Sequence, residues 1–516
     1  MTDRPRRDVP SRGGSGRGSG RGTGRGTGHG DHRPRSLQRP SERGRTADPA
    51  RLTAYSVLRA VADGAYANLE LPQRLRAQRL TGRDAAFATE LAYGALRLQG
   101  RYDPMVAMAA GRALDAIDAN VLDTLRVGAH QILGMRVPAH AAVAETVALA
   151  RQVNGAGAAG FVNAVLRRIS ERTLGEWLAA VTEPLPEPGD RLSVEHSHPV
   201  WIVKALRAAL LGHGTASAAT VDAQLEHLLQ ADNAAALVSL VARPGLAAVG
   251  ELISAGADAG RWSPTAATWP GGDPGGIPAV REGRAAVQDE GSQLVALALA
   301  AVPVTPAAPM TGALTERWLD LCAGPGGKAG LLGALAIQRG AQCVANEVSE
   351  HRADLVRSTL RPVVAAGASG QVTVRVGDGR AVGSDEPDGY DRVLVDAPCT
   401  GLGALRRRPE ARWRKQPADV TQLAVLQRQL LASALDATRP GGVVAYVTCS
   451  PHLVETRFAV ADVVKKRDDV AALDAREFVI DAAGDRLPDL GDGPAAQLWP
   501  HLHGTDAMFL ALLRKL

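Results

Sequence analysis

The sequence predicts a multidomain chain: an all-α helical bundle, a mixed α+β intermediate region, then an α/β domain around a doubly wound parallel sheet. Three observations lead there. The chain has 516 residues, too many for one hydrophobic core. Over residues 50–180, apolar residues recur at three- and four-residue spacing, the period of helices that bury one face. From Arg317 onward, short apolar runs alternate with helical periods, as strands joined by crossover helices do.

Residues 1–48 read as a disordered Arg/Gly-rich tail. They hold twelve Arg, no Lys and five acidic residues, a net of +7 in a chain of net +5, which leaves −2 for the remainder. Gly alternates with Arg17, Arg21 and Arg25. So few apolar groups cannot offset the entropy of ordering. Such a tail is either a solubilising segment or an arm for a polyanion such as RNA.

Residues 49–180 form the helical segment. Leu52, Val57, Leu58 and Val61 mark one apolar face; Leu122, Leu125, Val127, Ile132 and Leu133 mark another. Breaks at Gly100, Gly111, Pro138 and Gly155 to Gly160 divide it into roughly seven short helices. Residues 181–300 are mixed. A linker is expected at 184–188, and His198, Pro199 and Trp201 open a helix. A Gly/Pro-rich loop covers 263–280, and a helical pattern resumes at 287–299.

Residues 301–516 carry the alternating rhythm. Strands are expected at 318–321, 343–345, 372–376, 393–395 and 443–447, with helices near 328–338, 350–360, 418–437 and 453–466. Open sheets of this kind bind ligands at the carboxyl ends of their strands. Segment 322–328, Glu347, Asp378, Asp396 and Cys449 each fall just after an expected strand.

Several classes are excluded. The four cysteines, Cys322, Cys343, Cys399 and Cys449, form no C-x-x-C pair, so neither a disulfide framework nor a zinc site is expected. That usage fits a cytoplasmic protein without a metal. The basic N-terminus has no apolar segment behind it, so no signal peptide is expected. The longest apolar run, 294–310, is broken at Pro303, Pro306 and Pro309 and is no membrane span.

The first expected strand runs into Cys322-Ala323-Gly324-Pro325-Gly326-Gly327-Lys328 and then a helix. A phosphate-binding loop would need Gly at 322 and Ser or Thr at 329, where Cys and Ala stand. A dinucleotide fingerprint needs a G-x-G-x-x-G spacing, which Gly324, Gly326 and Gly327 do not give. A loop that cradles the methionine moiety of S-adenosylmethionine remains, beside a plain tight turn. Glu347 ends the second strand, where a carboxylate can accept both ribose hydroxyls or sit solvated. Asp378 follows the third strand and either receives an adenine amino group or holds a turn.

Asp396 and Cys399 follow the fourth strand, and Cys449 follows the fifth. One buried Cys is commonly a small core residue. Two at adjacent strand ends suggest shared chemistry. Methylation at carbon 5 of a pyrimidine needs a thiolate at carbon 6, because carbon 5 alone is too weak a nucleophile. A carboxylate such as Asp396 can hydrogen-bond the ring, and a second thiol can aid elimination. The base must be unstacked or single-stranded to be reached. Beside Cys399, the stretch with Arg406, Arg407, Arg408, Arg412 and Trp413 reads as an RNA-contacting loop or as a solvated charged loop.

Segments DLCAGPGGKA (320–329), ANEVSEHR (345–352), GDGR (377–380), DAPCTGLGALRRRPEARW (396–413) and TCS (448–450) resemble the catalytic domain of the RNA 5-methylcytosine methyltransferases of the Nol/Nop/Sun family. The resemblance implies a Rossmann-like class I methyltransferase domain over 301–516, with S-adenosylmethionine as cofactor. It implies Cys449 as nucleophile, Cys399 in release and Asp396 in base contact. Cofactor contacts then fall to the loop 322–328, Glu347, Arg352, Asp378 and Asp396. The chain departs from the family at Ala329, where Thr is usual, and beyond TCS, where the family often shows a Glu-Asn-Glu segment and Glu455 is followed by Thr456 and Arg457. DNA enzymes of this chemistry attack with the other cysteine, so the pair points to RNA.

Segments TELAYGALR (89–97), LRVGAHQIL (125–133), VPAHAAVAETVALAR (137–151) and GFVNAVLRRI (160–169) resemble a NusB-like RNA-binding domain. With VQDEGSQL (287–294) in an intermediate RNA-binding region, the whole is similar to the branch of the family acting on 16S ribosomal RNA. A monomer with no membrane or metal partner is expected. Two alternatives stay open: the same chemistry on tRNA, or an RNA-binding assembly factor with a silent methyltransferase domain. Cys322 is expected to lend backbone to the cofactor loop, and Cys343 to sit in the core.

Overall fold

The computed structural model describes residues 46–304 and 316–516. The tail therefore lies, as far as residue 45, outside the described residues.

Among the described residues, eight helices fill the first segment: Pro49–Ala62, Ala67–Ala77, Gly82–Arg97, Gln99–Ala110, Ala119–Leu133, Ala139–Val153, Ala156–Ile169 and Leu174–Thr182. Their starts follow local chemistry. Asp48 accepts the backbone N–H of Arg51 with Pro49 in the first turn, and Thr173 with Glu176 forms a capping box. Gly111 ends its helix in the left-handed region at φ +66°, which costs glycine nothing. The apolar faces read from the sequence meet in two clusters, one around Leu125, Leu166 and Ile169, the other around Val57, Leu91 and Leu149.

The intermediate region holds helices Pro188–Glu195, Val200–Gly212 and Val221–Asn233, then a four-stranded antiparallel sheet. Its strands β1 (Val238–Ala242), β2 (Asp258–Ala259), β3 (Ala266–Trp269) and β4 (Ala285–Val287) stand in the order β2-β3-β1-β4. The loop expected at 263–280 is thus partly a strand. β3 is four residues long and flanked by Gly and Pro, too short to show alternation, yet Ala266 and Ala267 are buried.

The last segment builds the five expected strands, β5 (Arg317–Asp320), β6 (Gln342–Glu347), β7 (Val372–Val376), β8 (Tyr390–Asp396) and β9 (Thr438–Thr448), and adds three antiparallel ones that the sequence reading did not expect, β10 (Val470–Leu473), β11 (Ala496–Gln497) and β12 (Phe509–Lys515), so the sheet is mixed. The order is β10-β12-β9-β8-β5-β6-β7, with β11 on β12. β5 to β9 run parallel, and β12 is antiparallel to β9. Successive residues face opposite layers: Trp318, Leu394 and Val443 join one core, whereas Leu319, Val393 and Val444 join the other. Helices Glu290–Ala301, Gly327–Gln338 and Glu350–Ala366 cover the first face. Helices Pro417–Ala437 and Arg457–Val464 cover the second.

Helix Glu290–Ala301, assigned from sequence to the intermediate region, therefore packs on this sheet through Leu294, Val295, Ala298 and Leu299. Cys343 is buried in the same core, as expected. The strand order reverses between β5 and β8, with β6 and β7 laid down on one side and β9 on the other, so the ends of β5 and β8 flank the crevice where such sheets bind ligands. The chain from Thr46 onward forms one compact unit. No described helix is long and apolar enough to cross a membrane.

Candidate active site

The glycine loop leaves β5 at this crevice and enters helix Gly327–Gln338. Gly326 has φ +110°, and a Cβ there would lie 2.9 Å from Cβ of Thr359, so only glycine suits. A Cβ on Gly324 would come within 2.3 Å of Glu347 Oε2, because the Gly324 N–H donates to that oxygen at 3.1 Å. The position of Gly327 faces open space, with nothing within 4 Å of an added Cβ. Cys322 takes part through its backbone, donating to Asp320 Oδ1 at 3.3 Å. Its thiol is pushed well up by burial and by Asp320, Asp396 and Glu347.

Glu347 closes β6. Its Oε1 accepts the Ser349 N–H at 3.1 Å, and Arg352 approaches Oε2 at 3.5 Å while donating to the Gly324 carbonyl at 2.8 Å. Asp378 follows β7, but both its oxygens are held by Arg380, the shorter contact at 2.6 Å. That guanidinium keeps the Asp378 carboxyl below the usual range. Two residues escaped the sequence reading. Asn346 donates to Leu321 O at 3.0 Å and Gly377 O at 3.1 Å, tying the ends of β5 and β7. Asp320 is buried, and its Oδ2 has no hydrogen-bond partner among the described residues. Burial, with Asp396 nearby, pushes its carboxyl up to about 7 against the pull of Lys328. Its place at the end of β5 was the only signal.

Lys328 Nζ donates to Asp396 Oδ2 at 2.9 Å, which joins the glycine loop to the end of β8. Burial pulls the ammonium down, but Asp396, Cys449 and Asp320 outweigh it and the net shift is upward. Cys399 and Cys449 follow β8 and β9, neighbours in the sheet, and their sulfurs are 3.4 Å apart. Both side chains are partly exposed. The pair is asymmetric. A hydrogen bond from Cys399 lowers the Cys449 thiol; burial and Asp396 oppose, and Lys328 and Arg408 assist. Cys399 is raised by the same contact, by burial and by the Glu455 carboxylate. Within the pair the shift is downward for Cys449 and upward for Cys399.

The basic loop behaves differently from the expected phosphate-contacting surface. Arg406 is buried and pairs with Asp506 at 3.1 Å and Asp289 at 3.2 Å. Arg407 pairs with the same two carboxylates, at 3.0 Å and 2.6 Å. Arg412 is fully buried and donates to Ser197 O, Asn233 Oδ1 and Asp232 O. The Trp413 indole donates to Leu96 O at 3.2 Å and lies against Gly100, where a Cβ would collide at 2.2 Å. Four of the five residues thus bind this loop to other parts of the chain, and only Arg408 stays exposed. The reason is local: the loop packs under helix Val221–Asn233 and beside helix Gly82–Arg97, whose carbonyls need donors.

A parallel sheet with a bare glycine loop at its reversal point, a carboxylate on the next strand and paired cysteines over the crevice define an S-adenosylmethionine-dependent RNA methyltransferase. The open face at Gly327 and the orphaned Asp320 oxygen fit a polar ligand such as that cofactor. Residues 310–514 match the family described as 16S rRNA methyltransferase RsmB/F, and residues 48–171 match the NusB family. The chain is 50% identical to Rv1407 of Mycobacterium tuberculosis, named for a methyltransferase, over 92% of this chain and 98% of that one. It is 31% identical to the ribosomal RNA small subunit methyltransferase B of Pseudomonas putida, over 90% of this chain and 98% of that one. The crystal structure of PH0851 has the same fold, with a TM-score of 0.71 at 21% identity, covering 91% of this chain and all of that one. The chain belongs to the RsmB/F family of 16S rRNA methyltransferases and carries an N-terminal NusB family domain.

Proposed function

We propose that this protein methylates carbon 5 of a cytosine in 16S ribosomal RNA through a covalent bond between Cys449 and carbon 6. The observation that carries the chemistry is the 3.4 Å contact of Cys399 with Cys449, with Lys328 and Arg408 on the Cys449 side. The 16S target is supported by the printed name of the Pseudomonas putida relative. S-adenosylmethionine supplies the methyl group. The loop of Cys322, Ala323, Gly324, Pro325, Gly326, Gly327 and Lys328 would hold its methionine end, Glu347 with Arg352 behind would hold its ribose, and Asp378 would receive its adenine amino group on lone pairs that Arg380 leaves free.

The Cys449 sulfur adds to carbon 6, and the displaced electron pair makes carbon 5 nucleophilic. Asp396, anchored by Lys328, hydrogen-bonds the ring and holds it over the crevice. Carbon 5 would take the methyl group and S-adenosylhomocysteine would leave; the carbon-5 proton then passes to water in the crevice, its bonding pair re-forms the carbon 5–carbon 6 double bond, and the sulfur–carbon bond breaks to restore the Cys449 thiolate. Cys399 assists that release. Arg408 is the phosphate contact, and the protein works as a cytoplasmic monomer without a metal.

Bisulfite sequencing of total RNA from a deletion strain tests the reading. One 16S cytosine should lose its protection, and the plasmid-borne gene should restore it. A lost tRNA site instead, with 16S unchanged, would move the substrate; no lost site would favour a silent domain.

A further inference from the structure

Glu455 opens a physical question that the two cysteines alone do not. It is fully buried, and four donors converge on its carboxylate. Oε1 accepts the Thr400 N–H at 2.8 Å and the Gln427 amide at 3.2 Å. Oε2 accepts the Ser450 hydroxyl at 2.6 Å and the Thr400 hydroxyl. Thr400 is the residue after Cys399, and Ser450 is the residue after Cys449. One carboxylate therefore clasps both cysteine loops. Gln427 also donates to Pro398 O at 2.8 Å, bracing the first loop from helix Pro417–Ala437. The Tyr446 hydroxyl donates to the Glu455 carbonyl at 2.7 Å, which fixes the clasp to β9.

No Lys, Arg or His lies within ion-pair distance of Glu455 among the described residues, and all four partners are neutral donors. An ionised carboxylate is acceptor-only, so this arrangement suits its charged form. The charges acting on the two sulfurs differ. Asp396, Lys328 and Arg408 act on Cys449, whereas Glu455 acts on Cys399 and also on the Tyr446 phenol and on His452, whose imidazole burial holds low. A negative charge beside one of two sulfurs that share a proton favours the proton there.

We propose that Glu455 is the positioning residue of the cysteine pair: it holds the sulfurs in contact and directs their shared proton to Cys399. This deepens the reading above, because it makes Cys449 the attacking sulfur by placement of charge. The two further residues of the segment then serve the frame. Thr456 donates to His452 O at 2.9 Å, and Arg457 donates to the Gly212 carbonyl of the intermediate region.

The test is iodoacetamide labelling of the full chain across pH 6 to 9, without RNA, with each cysteine quantified by peptide mass spectrometry. Cys449 should be labelled ahead of Cys399 in the native protein. Glu455→Gln keeps the shape and removes the charge, and should shrink the Cys449-to-Cys399 ratio about tenfold, the effect of about one pKa unit. Glu455→Asp keeps the charge and should keep the preference. An unchanged ratio in folded Glu455→Gln overturns the proton assignment. Ser450→Ala deletes one donor and leaves the charge. With the thiol oxidant diamide, which takes up both thiol hydrogens as the disulfide forms, it should close the Cys399–Cys449 bond several-fold more slowly. An unchanged closing rate overturns the clasp, and this variant decides alone if Glu455→Gln does not fold. Labelling and disulfide closure need no RNA, so their failure leaves cytosine methylation standing, and failure of the bisulfite experiment leaves the clasp standing.

Discussion

Replacing Cys449 by alanine is expected to reduce methyl transfer to 16S RNA from a deletion strain by about 10³-fold or more, because the addition to carbon 6 has no substitute nucleophile. Cofactor binding should persist, since the glycine loop, Glu347 and Arg352 do not depend on that sulfur. Replacing Cys399 should give the opposite signature. Addition proceeds, release slows, and a protein–RNA adduct survives denaturing electrophoresis. The double replacement should lose the adduct. Tritium transfer from labelled cofactor, read beside the gel, separates the outcomes. Full transfer in the Cys449 variant would sink the covalent route. Normal turnover without adduct in the Cys399 variant would remove only the helper role.

Replacing Arg412 by alanine should destabilise the protein by about 3–5 kcal/mol, the usual effect of stripping one partner from a buried charged cluster. The guanidinium is fully buried and serves acceptors on Ser197, Asp232 and Asn233, which would be left without their donor. The surroundings are already costly: burial pushes the Asp232 carboxyl up to about 7 and pulls the Arg412 guanidinium down to about 9. Urea unfolding followed by circular dichroism reads the loss as a lower midpoint. Arg408→Ala makes the contrast. It is exposed, so stability should stay within about 0.5 kcal/mol while the salt dependence of RNA binding falls by about one unit of slope. Normal stability with weakened RNA binding in the Arg412 variant would return that residue to the RNA surface.

The comparison of these two arginines shows where sequence reading stops. Arg406, Arg407, Arg408 and Arg412 look alike in a sequence, because composition carries charge and not burial. Only packing reveals that Asp289 and Asp506, distant in the sequence on either side, take up the first two. Local signals did better. Four of the five parallel strands were legible because their apolar runs are buried on both faces and need no partner to be seen. The edge strand β7 is only partly buried and was legible from its β-branched Val372-Thr373-Val374 run. Short antiparallel pieces such as β3 and β11 were not, since two to four residues cannot establish a period. The glycine loop and both cysteines announced themselves by motif and position. Glu455 showed only as the start of a family segment; what it holds was not legible, because Thr400 and Ser450 fold onto it from separate loops.

The short helix Ala411–Arg414 carries a last consequence. Arg414 donates to Val61 O, Trp413 to Leu96 O, and Glu410 accepts from Ala67, so the catalytic floor is riveted to the NusB family domain at several points. The interval from that domain to the cysteine pair is then a fixed gauge, like the jaws of a caliper. Under the proposed function, an RNA held by the helical domain would reach Cys449 only with a base lying at that span, so the spacing itself would choose among nucleotides.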